Sequence, residues 1–553
     1  MLDKNIISKL SRIRRESEER TVSRRAAKIG KKYLNLSTTP ITIEALAILP
    51  EAVAKEAGIV VIEKKANRIA VAAIDPKNAK TEKVIRDLEN NYGVTVFVVS
   101  ESSLKYALDY YKFAEKQTED ITGEISAKKK EIKEEDLLTL DGIKKFLDKE
   151  ELSGSKANEI LEIIFKGALA NRASDIHFEP TGKEAKLRLR IDGLLHDVYT
   201  FELKFYSFIV SRIKLLSGLK LNVSNEPQDG RFTISFTQKD VEVRVAVAPA
   251  QFGEVIVMRL LDPDAINLDL KQLGLREDDL EIIEKELKRP NGLILNTGPT
   301  GSGKTTTLYA FLQHKKTPEI KIITIEDPIE YRISGIEQTQ VDEESGYDFA
   351  SGLKSLMRQD PDIILVGEIR DKETAEIGIQ AALTGHLVFS TVHANSASGA
   401  VPRLLDLNVK PVSIGPALNL IIGQRLVRRL CANCRIPKTA TNDLEDKVNN
   451  FLRKLPGRVN KDDYKEIKLF EAKGCPACNG TGFKGRIAIY ELLKTAPEME
   501  DLIIKQTGET AIYRFAVGNG MTTMQQDGIL KVISGITTFN EVENVTGPIE
   551  WEE

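Results

Sequence analysis

The feature that most restricts this chain is an apolar strand that runs directly into a glycine-rich loop and then a helix. Gly292-Leu293-Ile294-Leu295-Asn296 reads as a buried strand. Gly298-Pro299-Thr300-Gly301-Ser302-Gly303-Lys304-Thr305 satisfies G-x-x-x-x-G-K-[ST], and Thr306 to about Gln313 reads as a helix. Glycines let backbone N–H groups turn inward around phosphate oxygens at the positive end of that helix. Lys304 then reaches the β and γ phosphates of ATP, and the Thr305 hydroxyl ligates Mg²⁺. From Gly292 onward apolar strands alternate with helical stretches, as a mostly parallel sheet requires.

Three further strands end in polar clusters. Ile322-Ile323-Thr324-Ile325 runs into Glu326-Asp327-Pro328-Ile329-Glu330, Ile363-Ile364-Leu365-Val366 into Gly367-Glu368, and Leu387 to Val392 into His393. In open α/β sheets ligands bind beyond the carboxyl ends of the strands, so these clusters should converge with the phosphate loop. Hydrolysis needs one carboxylate to orient or deprotonate a water and another to hold magnesium through water, jobs that suit Glu330 and Glu368. Either glutamate alone would pass for an ordinary strand-end charge. His386 and His393 flank their strand and are candidates to sense the γ phosphate, the alternative being structural histidines satisfied by neighbours. Asp362 reads as a turn or cap residue, and His177, His196 and His314 as structural.

All four cysteines fall in two pairs, Cys431-Ala432-Asn433-Cys434 and Cys475-Pro476-Ala477-Cys478. Each C-x-x-C places two thiolates on one tight turn, and two such knuckles complete a closed, structural tetrahedral zinc site. The 40 intervening residues require an inserted subdomain, and Gly474, Gly480 and Gly482 support the second turn. Free thiols or a redox pair are the alternatives.

At 553 residues the chain is too long for one core, and its 41% apolar and 29% charged residues place it among globular proteins. Residues 1–34 read as a charged N-terminal arm, a solvated helix or a floppy segment. Residues 35–113 read as a small α/β domain, with strands at Val60-Val61-Ile62, Ile69 to Ala72 and Val94 to Val99 and a helix from Thr81 to Asn90. Residues 114–150 read as a charged linker with no stable apolar face, and 151–265 as a second α/β domain. In the latter, arginine recurs on the polar face of short alternating strands, a candidate cationic surface for a phosphate or a neighbouring domain. An ATPase core over 266–430, a tetracysteine subdomain over 431–490 and a C-terminal helical region over 491–553 complete the division, with the last residues through Trp551 a tail without a role. Four cysteines exclude a disulfide scaffold. No apolar run approaches 18 residues and Met1 to Leu10 is too polar for a signal peptide, so a cytoplasmic protein without a transmembrane segment is expected.

The successive segments ASDIHFEP (173–180), LRLRIDG (187–193), EPQDGR (226–231), GPTGSGKTT (298–306), TIEDPIEY (324–331), RQDPDIILVGEIRD (358–371) and TGHLVFSTVHAN (384–395) resemble the motor ATPases of type IV pilus assembly and type II secretion. That resemblance implies a homo-hexameric ring whose subunits join a PAS-like N-terminal domain to a RecA-like P-loop NTPase core, with nucleotide between them. It makes Glu330 the catalytic base, Glu368 the magnesium-water carboxylate, and His386 and His393 the histidine box. It adds Thr306 and the arginines Arg244, Arg259, Arg358 and Arg486 to the nucleotide contacts, and Lys354 stands where the family often has arginine. The cysteine pairs and the long N-terminal extension point to an assembly or secretion motor rather than a retraction motor. Residues 41–113 resemble the domain that docks on an inner-membrane platform protein, which would hold the ring peripherally at that membrane; pilin or pseudopilin would be the indirect partner. The Arg-Leu-Gly signature of the cyclic-di-GMP-binding version is absent.

Two other classes compete. A RecA-like nucleic-acid translocase is disfavoured by the balance of 79 basic against 82 acidic residues, a formal net charge of -3. A nucleotide-gated scaffold that never hydrolyses is disfavoured by the paired glutamates.

Overall fold

In the computed structural model the described residues are 4–36, 39, 41, 43–65, 67–111, 134–150, 156–236, 239–265 and 268–551. They form two units, Met1–Leu137 with Asp141–Leu260 and Leu138–Leu140 with Leu261–Glu553.

In the first unit, short β-rich segments build two sheets. The strand Gly93–Val98 lies parallel to both Lys32–Tyr33 and Arg68–Ala73, and Arg68–Ala73 pairs antiparallel with Ile59–Lys65. Val60, Val61, Val71, Ala72 and Leu104 fill its core, with helices Glu51–Ala57, Ala79–Glu89 and Glu101–Leu108 alongside. The N-terminal arm is helical over Lys4–Lys28, and its last turns are seated rather than free. Val22 and Ala26 bury against Val98, while Glu19 accepts hydrogen bonds from the Tyr33 hydroxyl (2.6 Å) and Ser100 Oγ (2.7 Å).

The second sheet of this unit has six antiparallel strands in the order Leu194–Glu202, Glu184–Ile191, Ala173–Pro180, Gly253–Leu261, Asp240–Ala250, Gln228–Ser235. Alternation sends apolar side chains to one face, where helices Ala157–Ala170 and Leu203–Leu216 cover them through Phe165 on Phe232 and Tyr206 on Phe178. The other face carries the arginines. The tight turn of Asp192 and Gly193 has φ of 50° and 88°. The two domains are stitched together by Asn222, whose side chain accepts from the Ile41 N–H at 3.1 Å, and by Leu215 and Leu221 packed on the N-terminal core.

The linker expectation is corrected over its last part. Leu140–Lys149 is a helix with Ile143 and Leu147 buried, Ile143 resting against Gly167. Leu140, Ile143 and Leu147 fall at helical spacing, an apolar stripe that a high average charge conceals. Residues 114–133 of the expected linker lie outside the described residues.

The second unit is built on a seven-stranded sheet in the order Glu337–Gln340, Ile322–Glu326, Ile363–Val366, Leu387–Val392, Gly292–Thr297, Leu418–Leu430, Phe483–Lys494. Its paired neighbours run parallel except the last two, which form a long antiparallel ribbon. The four central parallel strands are wholly buried, as expected of strands covered on both faces. One apolar layer includes Leu353, Ile379, Ile414 and Ile503, the other Ile283, Leu308, Phe311 and Phe389. One strand, Leu387–Val392, is interposed between the phosphate-loop strand and the strand that leads to Glu368, the RecA-like order.

The cysteine-bearing insertion is not a separate body. Its helix Asn442–Lys454 buries Val448, Phe451 and Leu452 in one core with Ile529, Leu530, Ile533 and Val542 of the C-terminal helices. Trp551 packs edge-on against Phe451 and Phe539, which corrects the expectation of a tail without a role.

A buried ionic cluster pins this C-terminal region to the start of the unit. Arg276 reaches Asp527 (2.7 Å), Asp278 (3.0 Å) and Asp279 (2.8 Å), Arg458 reaches Asp278 and Asp279, and Lys531 pairs with Asp527 at 2.5 Å. Three cations meet three carboxylates, so the desolvated charge is balanced. Replacing Arg276 with Met leaves Asp527 and Asp279 short of a counterion and should cost about 3 kcal/mol or more. The single tryptophan, Trp551, reports this unit, so a lowered urea midpoint of its fluorescence is the expected readout and an unchanged midpoint would refute the claim.

Candidate active site and thiolate cluster

The phosphate loop owes its shape to three positive φ values, 147° at Gly298, 79° at Gly301 and 89° at Gly303. At Gly298 a side chain would also strike the carbonyl oxygen of Gln424 and Ser302 Oγ. Lys304 opens the helix Lys304–Lys315, and its ammonium donates to the carbonyls of Gly298 (2.8 Å) and Pro299 (3.1 Å). Burial pulls its pKa down, and the nearby charge of Glu368 opposes that shift. Ser302 Oγ is buried without a hydrogen-bond partner among the described residues. A phosphate oxygen is the kind of acceptor that such an orphaned hydroxyl needs.

Beyond the neighbouring strands the expected clusters do converge. Glu368 is held from both sides, by His393 Nε2 at 3.1 Å and by Arg370 Nη2 at 2.5 Å, and Arg370 also reaches Asp327 at 3.5 Å. Gly367 allows this approach, since a Cβ there would press on the Glu326 backbone at 3.3 Å. Thr297 Oγ1 donates to the Ala394 carbonyl (2.8 Å) and accepts from its N–H (3.0 Å), fixing the loop after His393 to the phosphate-loop strand. Glu330 is half-buried in the turn after Glu326, and its charge helps to raise the pKa of both Glu326 and Tyr309. Glu326 is buried and accepts from Thr324 Oγ1 (2.6 Å), the Tyr309 hydroxyl and Gln338 Nε2 (3.2 Å); burial raises its pKa. Tyr309 lies on the phosphate-loop helix, so this contact ties that helix to the turn bearing Glu330.

His386 is a correction. It precedes Leu387–Val392 whereas His393 follows it, and six residues at about 3.3 Å each put roughly 20 Å between them. Its Nδ1 faces the Ala381 carbonyl at 3.1 Å and its own carbonyl accepts from the Gly292 N–H, at the amino end of the phosphate-loop strand. The two histidines do not share one phosphate within a subunit.

The arginines differ in state. Arg259 and Arg190 flank buried Asp175 at 3.0 and 3.3 Å, so part of the cationic face in the first unit is matched by carboxylates. Arg244 lies on Asp240–Ala250, the strand next to that of Arg259. In the second unit Arg358 and Arg486 are exposed, and Arg486 stands opposite Arg428 on the antiparallel ribbon. Lys354 pairs with Glu373 on the adjacent helix. Sequence reasoning passed over Arg370 and Gln424. The available signals were a cation two residues after a strand-end glutamate, and an amide directly after the apolar run Leu420 to Gly423.

The four thiols come together as expected, their sulfurs all within 4.8 Å of one another. Cys431 to Cys475, Cys434 to Cys478 and Cys475 to Cys478 measure 3.9, 3.8 and 3.7 Å. A tetrahedron with metal–sulfur bonds of about 2.3 Å has edges of about 3.8 Å, so the residues fit zinc. Burial works against a thiolate at Cys478, yet backbone N–H donors of Cys475 and Gly482 bring its pKa down to about 7. Gly474 and Gly482, with φ of 95° and 78°, sit where a side chain would collide with the Gly480 carbonyl and with Ala472.

A family model described as Type II/IV secretion system protein matches residues 150–544, and one described as MshEN domain matches residues 29–118. The chain belongs to the type II/IV secretion system protein family. The type IV pilus assembly ATPase PilB of Myxococcus xanthus is 37% identical over 94% of this chain and 89% of its own length. The type II secretion system ATPase E of Vibrio cholerae is 42% identical over 70% of this chain and 75% of its own. The ATPase DotB of Legionella pneumophila shares the fold, with TM-score 0.51 at 20% identity over 70% of this chain and 95% of that one. Membership of this family makes the chain an ATP hydrolase.

Two outcomes are expected. His393→Ala should lower ATP turnover about tenfold or more, by loosening Glu368, while His386→Ala should stay within about twofold; steady-state phosphate release measures both. Purified protein should carry close to one zinc per chain by metal analysis, and Cys478→Ser should lose it.

Proposed function

We propose that the chain is a hexameric motor ATPase that turns ATP hydrolysis into the domain movements driving assembly of a type IV pilin or type II pseudopilin fibre. The observation that carries this is the convergence of Lys304, Glu368 and His393 at one end of the RecA-like sheet in a member of this family. Lys304 exchanges its carbonyl partners for the β and γ phosphates and offsets their charge. Magnesium, when bound, neutralises charge between those phosphates, and the hydroxyl of Thr305 and, through water, the carboxylate of Glu368 are the hard oxygen donors for it. His393 and Arg370 orient that carboxylate. Glu330 orients the attacking water and takes its proton, with Tyr309 and Glu326 fixing the turn that carries it. Arg244, Arg259, Arg358 and Arg486 serve the nucleotide phosphates in the assembled ring, and His386 has a structural place instead.

The match over 94% of this chain to a pilus assembly ATPase, against 70% to a type II secretion ATPase, supports the pilus branch of the reading. The N-terminal domain then docks on a platform protein of the inner membrane, which places the ring at that surface. Among the described residues no helix is long and apolar enough to cross a membrane. No observation favours the nucleic-acid translocase.

Glu330→Gln should bind ATP as the wild type does and turn it over at least about a hundredfold more slowly. Wild-type-like phosphate release by Glu330→Gln sinks the base assignment, and stimulation of the native chain by DNA would revive the translocase.

A further inference from the structure

Gln424 is a polar side chain in the interior of an apolar strand, 2% exposed. It lies on Leu418–Leu430, the strand paired parallel to the phosphate-loop strand, one residue past the Thr297–Gly423 pair. Its Oε1 accepts two hydrogen bonds, from Asn296 Nδ2 at 2.9 Å and from Thr307 Oγ1 at 2.9 Å. Asn296 and Thr307 are themselves buried. Asn296 stands two residues before the first loop glycine, and Thr307 three residues after Lys304. One amide oxygen therefore bridges the entry and the exit of the phosphate loop.

The rest of Gln424 lies against the loop as well. Its backbone carbonyl sits beneath Gly298, and its Nε2 stands 2.9 Å from where a Cβ on Gly303 would be, with Leu426 next to it. We propose that Gln424 is a positioning residue for nucleotide binding: its side chain fixes the separation of the two ends of the phosphate loop, and its strand forms the floor on which the loop glycines rest. It touches no substrate atom and acts through Asn296, Thr307 and the loop backbone. Without its oxygen, two buried donors lose their acceptor, and the loop relaxes to find others.

The inference rests on the nucleotide-binding reading above and predicts a particular pattern. In the full-length chain, Gln424→Leu keeps the volume and removes the acceptor. Its Kd for Mg·ADP, measured by calorimetric titration, should rise about tenfold, with KM for ATP rising in parallel and kcat falling much less. Because Gln424 acts partly through Thr307, the Thr307→Val and Gln424→Leu losses should overlap, the double variant binding within about threefold of Gln424→Leu alone. Trp551 fluorescence during urea unfolding checks that each variant is folded at the assay temperature. A Gln424→Leu protein that is folded and binds Mg·ADP as the wild type does overturns the inference, as do losses that multiply in the double variant. A wild-type chain that binds no Mg·ADP overturns both this inference and the functional reading beneath it.

Discussion

A phosphate loop has no core of its own. Its backbone must bend through left-handed conformations at Gly298, Gly301 and Gly303, and its N–H groups must stay free for the ligand, so it cannot hold itself by the usual ladder. What holds it is the strand beside it. Gln424 bridges both ends of the loop, and across the antiparallel ribbon its partner is buried Tyr490, whose N–H donates to Asp527 at 2.9 Å. Asp527 belongs to the ionic cluster of Arg276 and Lys531. A continuous buried polar track thus runs from the nucleotide loop to the C-terminal helices. Such a track is most rigid where its members are satisfied, and among its atoms Asn296 Oδ1 is buried without a partner among the described residues.

The second organising force is charge beyond the strand ends. Glu368 is gripped by Arg370 and His393, and Lys304 by two loop carbonyls. Lys304 and Glu368, the charged groups of the cleft, are therefore already held in polar contacts of their own, whereas the Ser302 hydroxyl waits for an acceptor. Nucleotide binding becomes an exchange of partners instead of the desolvation of bare charges, a less costly route in a half-buried cleft.

The phosphate loop, the converging strand ends, the thiolate cluster and the parallel core were legible because each has a fixed spacing or a long apolar run. His386 misled because its place in a motif says nothing about direction: a residue before a strand and one after it are close in sequence and about 20 Å apart in space. The helix Leu140–Lys149 was hidden by averaging, since three apolar residues carry it within a charged segment. Gln424 and the pairing of Arg276 with Asp527 depend on contacts between residues 128 and 251 positions apart, which no local pattern encodes.

The thiolate cluster takes its meaning from the same ribbon. Leu418–Leu430 ends one residue before Cys431, and Phe483–Lys494 begins five residues after Cys478. The two knuckles therefore close the open end of the antiparallel pair whose middle carries Gln424 and Tyr490. A long two-stranded ribbon frays from its free end, and Arg428 and Arg486 face each other near that end with like charge. Glu541 offsets one of them, binding Arg428 at 2.5 Å, and Phe483 stacks beneath the same guanidinium. Beyond this pair the four cysteine sulfurs gather within 4.8 Å of one another. The thiol cluster thus lies at the end of the strand against which the phosphate loop is braced.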